Sequence, residues 1–183
     1  RLPWQTEEYY ASERAALMPE EFARVHRNEW ATGGVNSFLP SIALWDACRA
    51  DVPPLDGHTP CVLALDAAES NDTFGTVIVF KLGEQLAVRY VRPYVPTKGQ
   101  PLDFDAIEQD IRDLVQRYAI QAIVYDPMLL GQTVRRLTAP GRAIPTPCVP
   151  FPQGAARLES DKGLFDLLTQ RRIVHDGNAE LRA

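Results

Sequence analysis

Cys61-Val62-Leu63-Ala64-Leu65-Asp66 and, further on, Ile120-Gln121-Ala122-Ile123-Val124-Tyr125-Asp126 are two strand-length apolar runs, and each closes on an acid. A lone carboxylate beside a buried apolar strand is costly to desolvate. Two that converge on Mg²⁺ or Mn²⁺ satisfy each other's charge. The pair therefore predicts two buried strands that deliver Asp66 and Asp126 as metal ligands at their C-terminal ends.

Reading outward, Gly75 to Leu82 contains the β-rich Thr76-Val77-Ile78-Val79-Phe80, and Gln85 to Val95 follows after Gly83-Glu84, which predicts an antiparallel hairpin. Phe104, Ile107, Ile111, Leu114, Val115 and Tyr118 recur at helical spacing, with Asp103 and Asp105 near the positive N-terminal end. Glu108 with Arg112, and Asp113 with Arg117, read as i,i+4 pairs on the solvent face of that helix. The continuous apolar run at 120–125 suits a parallel strand covered on both faces. Pro127 then ends the strand and holds the turn at Asp126.

A helix from Met128 to Thr138, a short strand around Pro147 to Phe151 and a last helix from Gly154 to Gln170 complete the order βββαβαβα. That order is the layout of an α/β, ribonuclease H-like mixed sheet flanked by helices. Its first strand is central and the strand after the first long helix pairs beside it in parallel, so Asp66 and Asp126 become neighbours. Glu69 and Asp72, in the loop after Asp66, are further acids that could support the site.

The N-terminal part reads differently. Residues 6–30 predict two short helices, one capped by Thr6 and one begun by Pro19-Glu20-Glu21. Residues 31–60 carry the breaks Gly33-Gly34, Pro53-Pro54 and Asp56-Gly57 and read as a linker or irregular wrap. The expected division is 1–58, a helical and irregular extension, and 59–183, the sheet domain. A first residue that is not Met and an end without a helix stop or polar tail read as a piece of a longer chain.

Composition narrows the class. With 183 residues, 45% hydrophobic and 23% charged, the chain is long enough for one well-formed core. No apolar stretch approaches the roughly 20 residues needed to cross a bilayer, and no basic-then-apolar signal opens the chain, so an intracellular protein without membrane contact is expected. Cys48, Cys61 and Cys148 form no CxxC pair and read as small buried apolar residues; His26, His58 and His175 lack ligand spacing, which leaves carboxylates as ligands. The net charge of −5 is uneven: −4 over residues 1–60, −4 over 61–130 and +3 over 131–183. The basic final third, with Arg135-Arg136 at its start, offers a phosphate-contacting face beside an acidic site. No GxxxxGK[ST] loop is present, so ATP hydrolysis is not expected of this chain.

Four ordered blocks, Glu21–Trp30, Leu63–Asp72, Val124–Pro127 and Gly163-Leu164-Phe165 through His175-Asp176-Gly177-Asn178, resemble the large subunit of tailed-bacteriophage terminase. The resemblance implies the end of an ATPase-motor linker followed by most of a nuclease domain that cuts viral DNA for packaging. Asp66 and Asp126 match the first two metal-binding acids of that pattern, and the third would follow residue 183. Asp176, in a His-Asp-Gly-Asn setting, reads as a turn and not as that third acid.

The implied chemistry is hydrolysis of DNA phosphodiesters with two Mg²⁺ or Mn²⁺ ions roughly 4 Å apart, one activating water and one stabilising the leaving 3′ oxygen. Implied partners are double-stranded DNA, the phage portal and the small terminase subunit, in the cytoplasm of a bacterial host. Two other readings stay open: a module of the same fold that docks on DNA or portal without cutting, and a resolvase- or integrase-like nuclease.

Overall fold

The computed structural model describes residues 6–17, 19–27, 42–67, 73–151 and 154–181. Six strands form one sheet: β1 (Cys61–Ala67), β2 (Phe74–Leu82), β3 (Gln85–Tyr94), β4 (Ile120–Tyr125), β5 (Cys148–Pro150) and β6 (Ile173–His175), in spatial order β5-β4-β1-β2-β3-β6. β2 runs against β1 and β3, whereas β4 is parallel to β1, β5 to β4 and β6 to β3. All strands but β2 therefore point the same way, and the C-terminal ends of β1, β3, β4 and β5 share one sheet edge. This is the expected α/β, ribonuclease H-like mixed sheet, with one strand more than the sequence predicted.

The first sheet face is the main core. Leu63, Leu65, Phe74, Ile78, Ala87 and Ile123 lie under α4 (Phe104–Arg117) and α5 (Pro127–Leu137), which contribute Ile107, Ile111, Leu130 and Leu137. Asp103 caps α4 by accepting from the backbone N–H of Asp105 and Ala106, as the acidic start of the helical pattern predicts.

The second face is covered on one side only. α6 (Ala155–Thr169) and α3 (Ile42–Asp46) pack there, with Leu167, Leu168, Trp45 and Cys48 over Val77, Val79, Val88 and Val91. Over β1 and β5 the described residues leave Val62 and Val149 exposed. β1 and β4 are thus not buried on both faces as their apolar runs implied: their second face extends past the reach of α6.

The N-terminal helices form as read. α1 (Glu7–Ala16) is capped by Thr6, whose side chain accepts from the Tyr9 N–H, and α2 (Pro19–Arg27) begins on proline. His26 is a packed residue: its Nε2 lies 3.1 Å from Glu13 Oε2 and its ring packs on Phe22. Within 31–60, where only a wrap was expected, α3 forms, and the chain after it is sewn to β6 by Ala50 N–H to His175 O and His175 N–H to Cys48 O. Trp45 stacks on His175 with ring centroids 4.1 Å apart.

Glu108 corrects the helix reading. It is buried, and its Oε1 lies 2.7 Å from Arg136 Nε, while Arg112 instead donates to the carbonyls of Arg136 and Arg142. The arrival of α5 against α4 turns a solvent-face position into an interhelical one. Cys48 and Cys61 are buried and Cys148 half-buried, none in a disulfide, and burial raises all three thiol pKa values.

Candidate functional site

Asp66 occupies the penultimate position of β1, and the alternation of that strand turns it to the open second face. Its carboxylate makes no hydrogen bond or ion pair with any described residue. Across β2 its partner is Gly75, where an added Cβ would meet nothing within 4 Å, so the space beside the carboxylate is free.

Asp126 arrives from the other side. Leu65 pairs with Tyr125 in the parallel β1–β4 ladder, so the next residue of each strand is an aspartate. Adjacent strands lie about 4.8 Å apart, so the two strand ends that lead into these aspartates are neighbours. Both expected acids thus come to neighbouring positions at one sheet edge.

Their environments differ. Asp126 is 8% exposed and is the N-cap of α5: its Oδ1 accepts the Met128 N–H at 2.8 Å. One oxygen is therefore engaged in holding the helix, and among the described residues the other has no partner. The positive N-terminal end of α5 lowers the cost of keeping this charge half-sheltered. The sequence reading assigned Asp126 a turn but missed this capping duty, although Asp-Pro ahead of a helical run carries the signal.

Two hard carboxylates at the ends of adjacent strands, one with no partner among the described residues and one with a single oxygen engaged by them, suit Mg²⁺ or Mn²⁺ as a donor set. Among the described residues no group of three or more His, Cys, Asp or Glu is gathered as a metal cluster. Glu69 and Asp72, offered as supporting acids, fall in 68–72, outside the described residues.

Asp176 lies elsewhere. It follows β6, three strands from β1 and so about 14 Å across the sheet, and its carboxylate is engaged by Arg89 at 2.5 Å. Arg135 and Arg136 sit in the last turn of α5, roughly 13 Å along the helix axis from Asp126. Arg135 is exposed, whereas the Arg136 guanidinium is engaged by Asp105 and Glu108, which raise its pKa further.

Among the described residues no helix is long and apolar enough to cross a membrane. No protein-family model matches the sequence, and no curated protein matches it. Solved structures do. The large terminase of bacteriophage HK97 superposes with a TM-score of 0.62 at 17% identity, over 94% of this chain and 42% of that one. The large terminase of a thermophilic bacteriophage superposes with a TM-score of 0.60 at 9% identity, over 96% of this chain and 42% of that one. At these identities the likeness is one of fold, and this chain spans less than half the length of either terminase: its architecture is that of part of a phage large terminase.

Proposed function

We propose that this chain is the nuclease portion of a viral DNA-packaging terminase, and that it hydrolyses DNA phosphodiesters with divalent metal ions held by Asp66 and Asp126. The observation that carries the reading is the Leu65–Tyr125 register, with an aspartate as the next residue on each strand. The terminase-like fold supports the packaging context.

Bound there, Mg²⁺ or Mn²⁺ would supply activation of water and stabilisation of the leaving oxygen. The protein's share of the work is positional. Asp66 presents, beside the gap at Gly75, a carboxylate with neither oxygen committed to a described residue. Asp126 is fixed by its bond to the Met128 N–H, so its free oxygen keeps one orientation. Double-stranded DNA lies along this edge, with Arg135 as an outlying phosphate contact. Arg136 could join it only by leaving Asp105 and Glu108. Portal, small subunit and host cytoplasm belong to the same proposal through the packaging context alone.

The test is nicking of supercoiled plasmid in Mn²⁺ by the purified chain and by Asp66→Asn. Nicking by the parent that disappears in the variant is expected. Nicking that persists in Asp66→Asn removes the proposed site, and a parent that binds plasmid without nicking it makes this chain a docking module.

A further inference from the structure

α5 carries the proposed metal ligand at one end and a charged clasp at the other. At the first end the backbone of Asp126 continues from β4, while its Oδ1 is tied to the Met128 N–H of the helix at 2.8 Å. The place of Asp126 is thus set by the sheet, and the orientation of its carboxylate by the direction in which α5 leaves.

The far end of the helix is where that direction is fixed. Arg136, in the last turn of α5, sends its guanidinium to α4, where Nε lies 2.7 Å from Glu108 Oε1 and Nη2 contacts Asp105. In return, α4 sends Arg112 to the end of α5 and the turn beyond it: Nη2 donates to the Arg136 carbonyl at 3.3 Å and Nη1 to the Arg142 carbonyl at 2.5 Å. Each helix therefore holds the other by one arginine. Leu130, Val134 and Leu137 also anchor α5 in the core. Apolar burial is non-directional, however, so it leaves the tilt of the helix to the charged groups.

Glu108 explains why Arg136 stays in place. It is only 7% exposed, and among the described residues no hydrogen bond reaches its Oε1, so the Arg136 charge is what compensates it. Removing one partner of a buried ion pair leaves an uncompensated charge in a poorly solvated place. A phosphate at the surface would offer Arg136 only a solvent-screened contact in exchange. That exchange is unfavourable, which sets Arg136 apart from the exposed Arg135 beside it.

We infer that Arg136 is a positioning residue: by clasping α5 to Glu108 and Asp105 of α4, it sets the direction of the helix and thereby the orientation in which Asp126 presents its carboxylate to the metal. The inference rests on the nuclease reading above and adds what aims one of its ligands. Outer groups that orient a metal ligand typically change metal affinity about 10- to 100-fold when removed.

The experiment measures the Mn²⁺ affinity of the purified chain by isothermal titration calorimetry without DNA, the binding counted being that lost in Asp126→Asn. Melting temperatures and duplex binding by fluorescence anisotropy are recorded without metal. Arg136→Gln is expected to bind Mn²⁺ about tenfold more weakly than the parent, with unchanged duplex affinity. Arg136→Lys, which keeps a charge against Glu108, recovers most of that loss. Because Arg136→Gln leaves Glu108 buried without its counter-charge, a second variant separates aim from stability: Glu108→Leu with Arg136→Met replaces the pair by apolar groups, an exchange that buried ion pairs tolerate. It is expected to melt no lower than the parent and still to bind Mn²⁺ about tenfold more weakly, because apolar contact does not fix the tilt. Parent-like Mn²⁺ affinity in the folded double variant overturns the positioning role. So does an Arg136→Gln chain that loses duplex affinity in place of Mn²⁺ affinity, which makes Arg136 a phosphate contact; both outcomes leave the nuclease reading standing. A parent chain that binds no Mn²⁺ overturns both.

Discussion

Asp126 shows how one side chain can serve structure and chemistry together, and how the two can be separated. As the N-cap of α5 it satisfies an otherwise orphaned backbone N–H, a role that asparagine fills equally well. As a proposed metal ligand it needs its negative charge. Asp126→Asn is therefore expected to melt like the parent yet lose both nicking and the stabilisation that Mn²⁺ confers. Asp126→Ala loses the cap as well and should cost about 1 kcal/mol of stability in the absence of metal. Thermal unfolding with and without Mn²⁺ checks both variants. Equal Mn²⁺ stabilisation of parent and Asp126→Asn would leave the cap as this residue's whole function.

Between elements, the β3–α4 junction sets the level at which the acid edge meets the helix layer. Tyr94, at the end of β3, donates its hydroxyl to Asp110 Oδ2 at 3.0 Å, and Arg92 Nη1 approaches the same carboxylate at 2.9 Å. Burial, then the hydrogen bond and negative charge of Asp110, hold the Tyr94 pKa far above that of a free phenol. A group whose folded-state pKa is raised contributes stability fully below its unfolded pKa and loses it as pH rises towards the folded value. Tyr94 should thus support the fold up to about pH 10, the free phenol value, and withdraw that support above it. Tyr94→Phe is expected to be less stable than the parent at neutral pH, with the gap closing under alkaline conditions. Urea denaturation at neutral pH and above pH 10 measures it, and a variant as stable as the parent at both would mean that the junction is held by ring packing on Phe74 alone.

For the whole molecule, the decisive feature is how the N-terminal segment is joined to the sheet. Trp45 stacks on the buried His175, whose Nδ1 accepts the Gly177 N–H, so Nε2 carries the proton donated to Trp45 O at 2.8 Å. Gly177, at φ 82°, lets Arg49 lie against it, since a Cβ there would come within 2.5 Å of Arg49 Nε. His175→Leu removes both ring hydrogen bonds while keeping apolar bulk. Its expected effect is local: faster amide exchange at Ala50, with Leu63 and Ile123 in the central sheet unchanged. Acceleration spread evenly over the sheet would show instead that β6 is part of the global folding unit.

How much of this was legible in the sequence depends on the range of the interaction concerned. The helical period of Phe104 to Tyr118, the turn at Gly83-Glu84 and the acids closing two apolar runs are local patterns, and from them the fold class and the β1–β4 pairing, with an aspartate following each paired strand end, could be anticipated. β6 could not: three residues are too few to display a period, and Ile173–His175 becomes a strand only because β3 offers an edge and residues 48–50 cover the other side. Nor could the sequence distinguish Glu108 from a surface acid, because α5 buries it from a distance in the chain. Pattern along a chain is set by each element's own periodicity and termini, whereas the covered half of a sheet face, the partner of a charge and the direction of a helix are set by which elements are brought together in space.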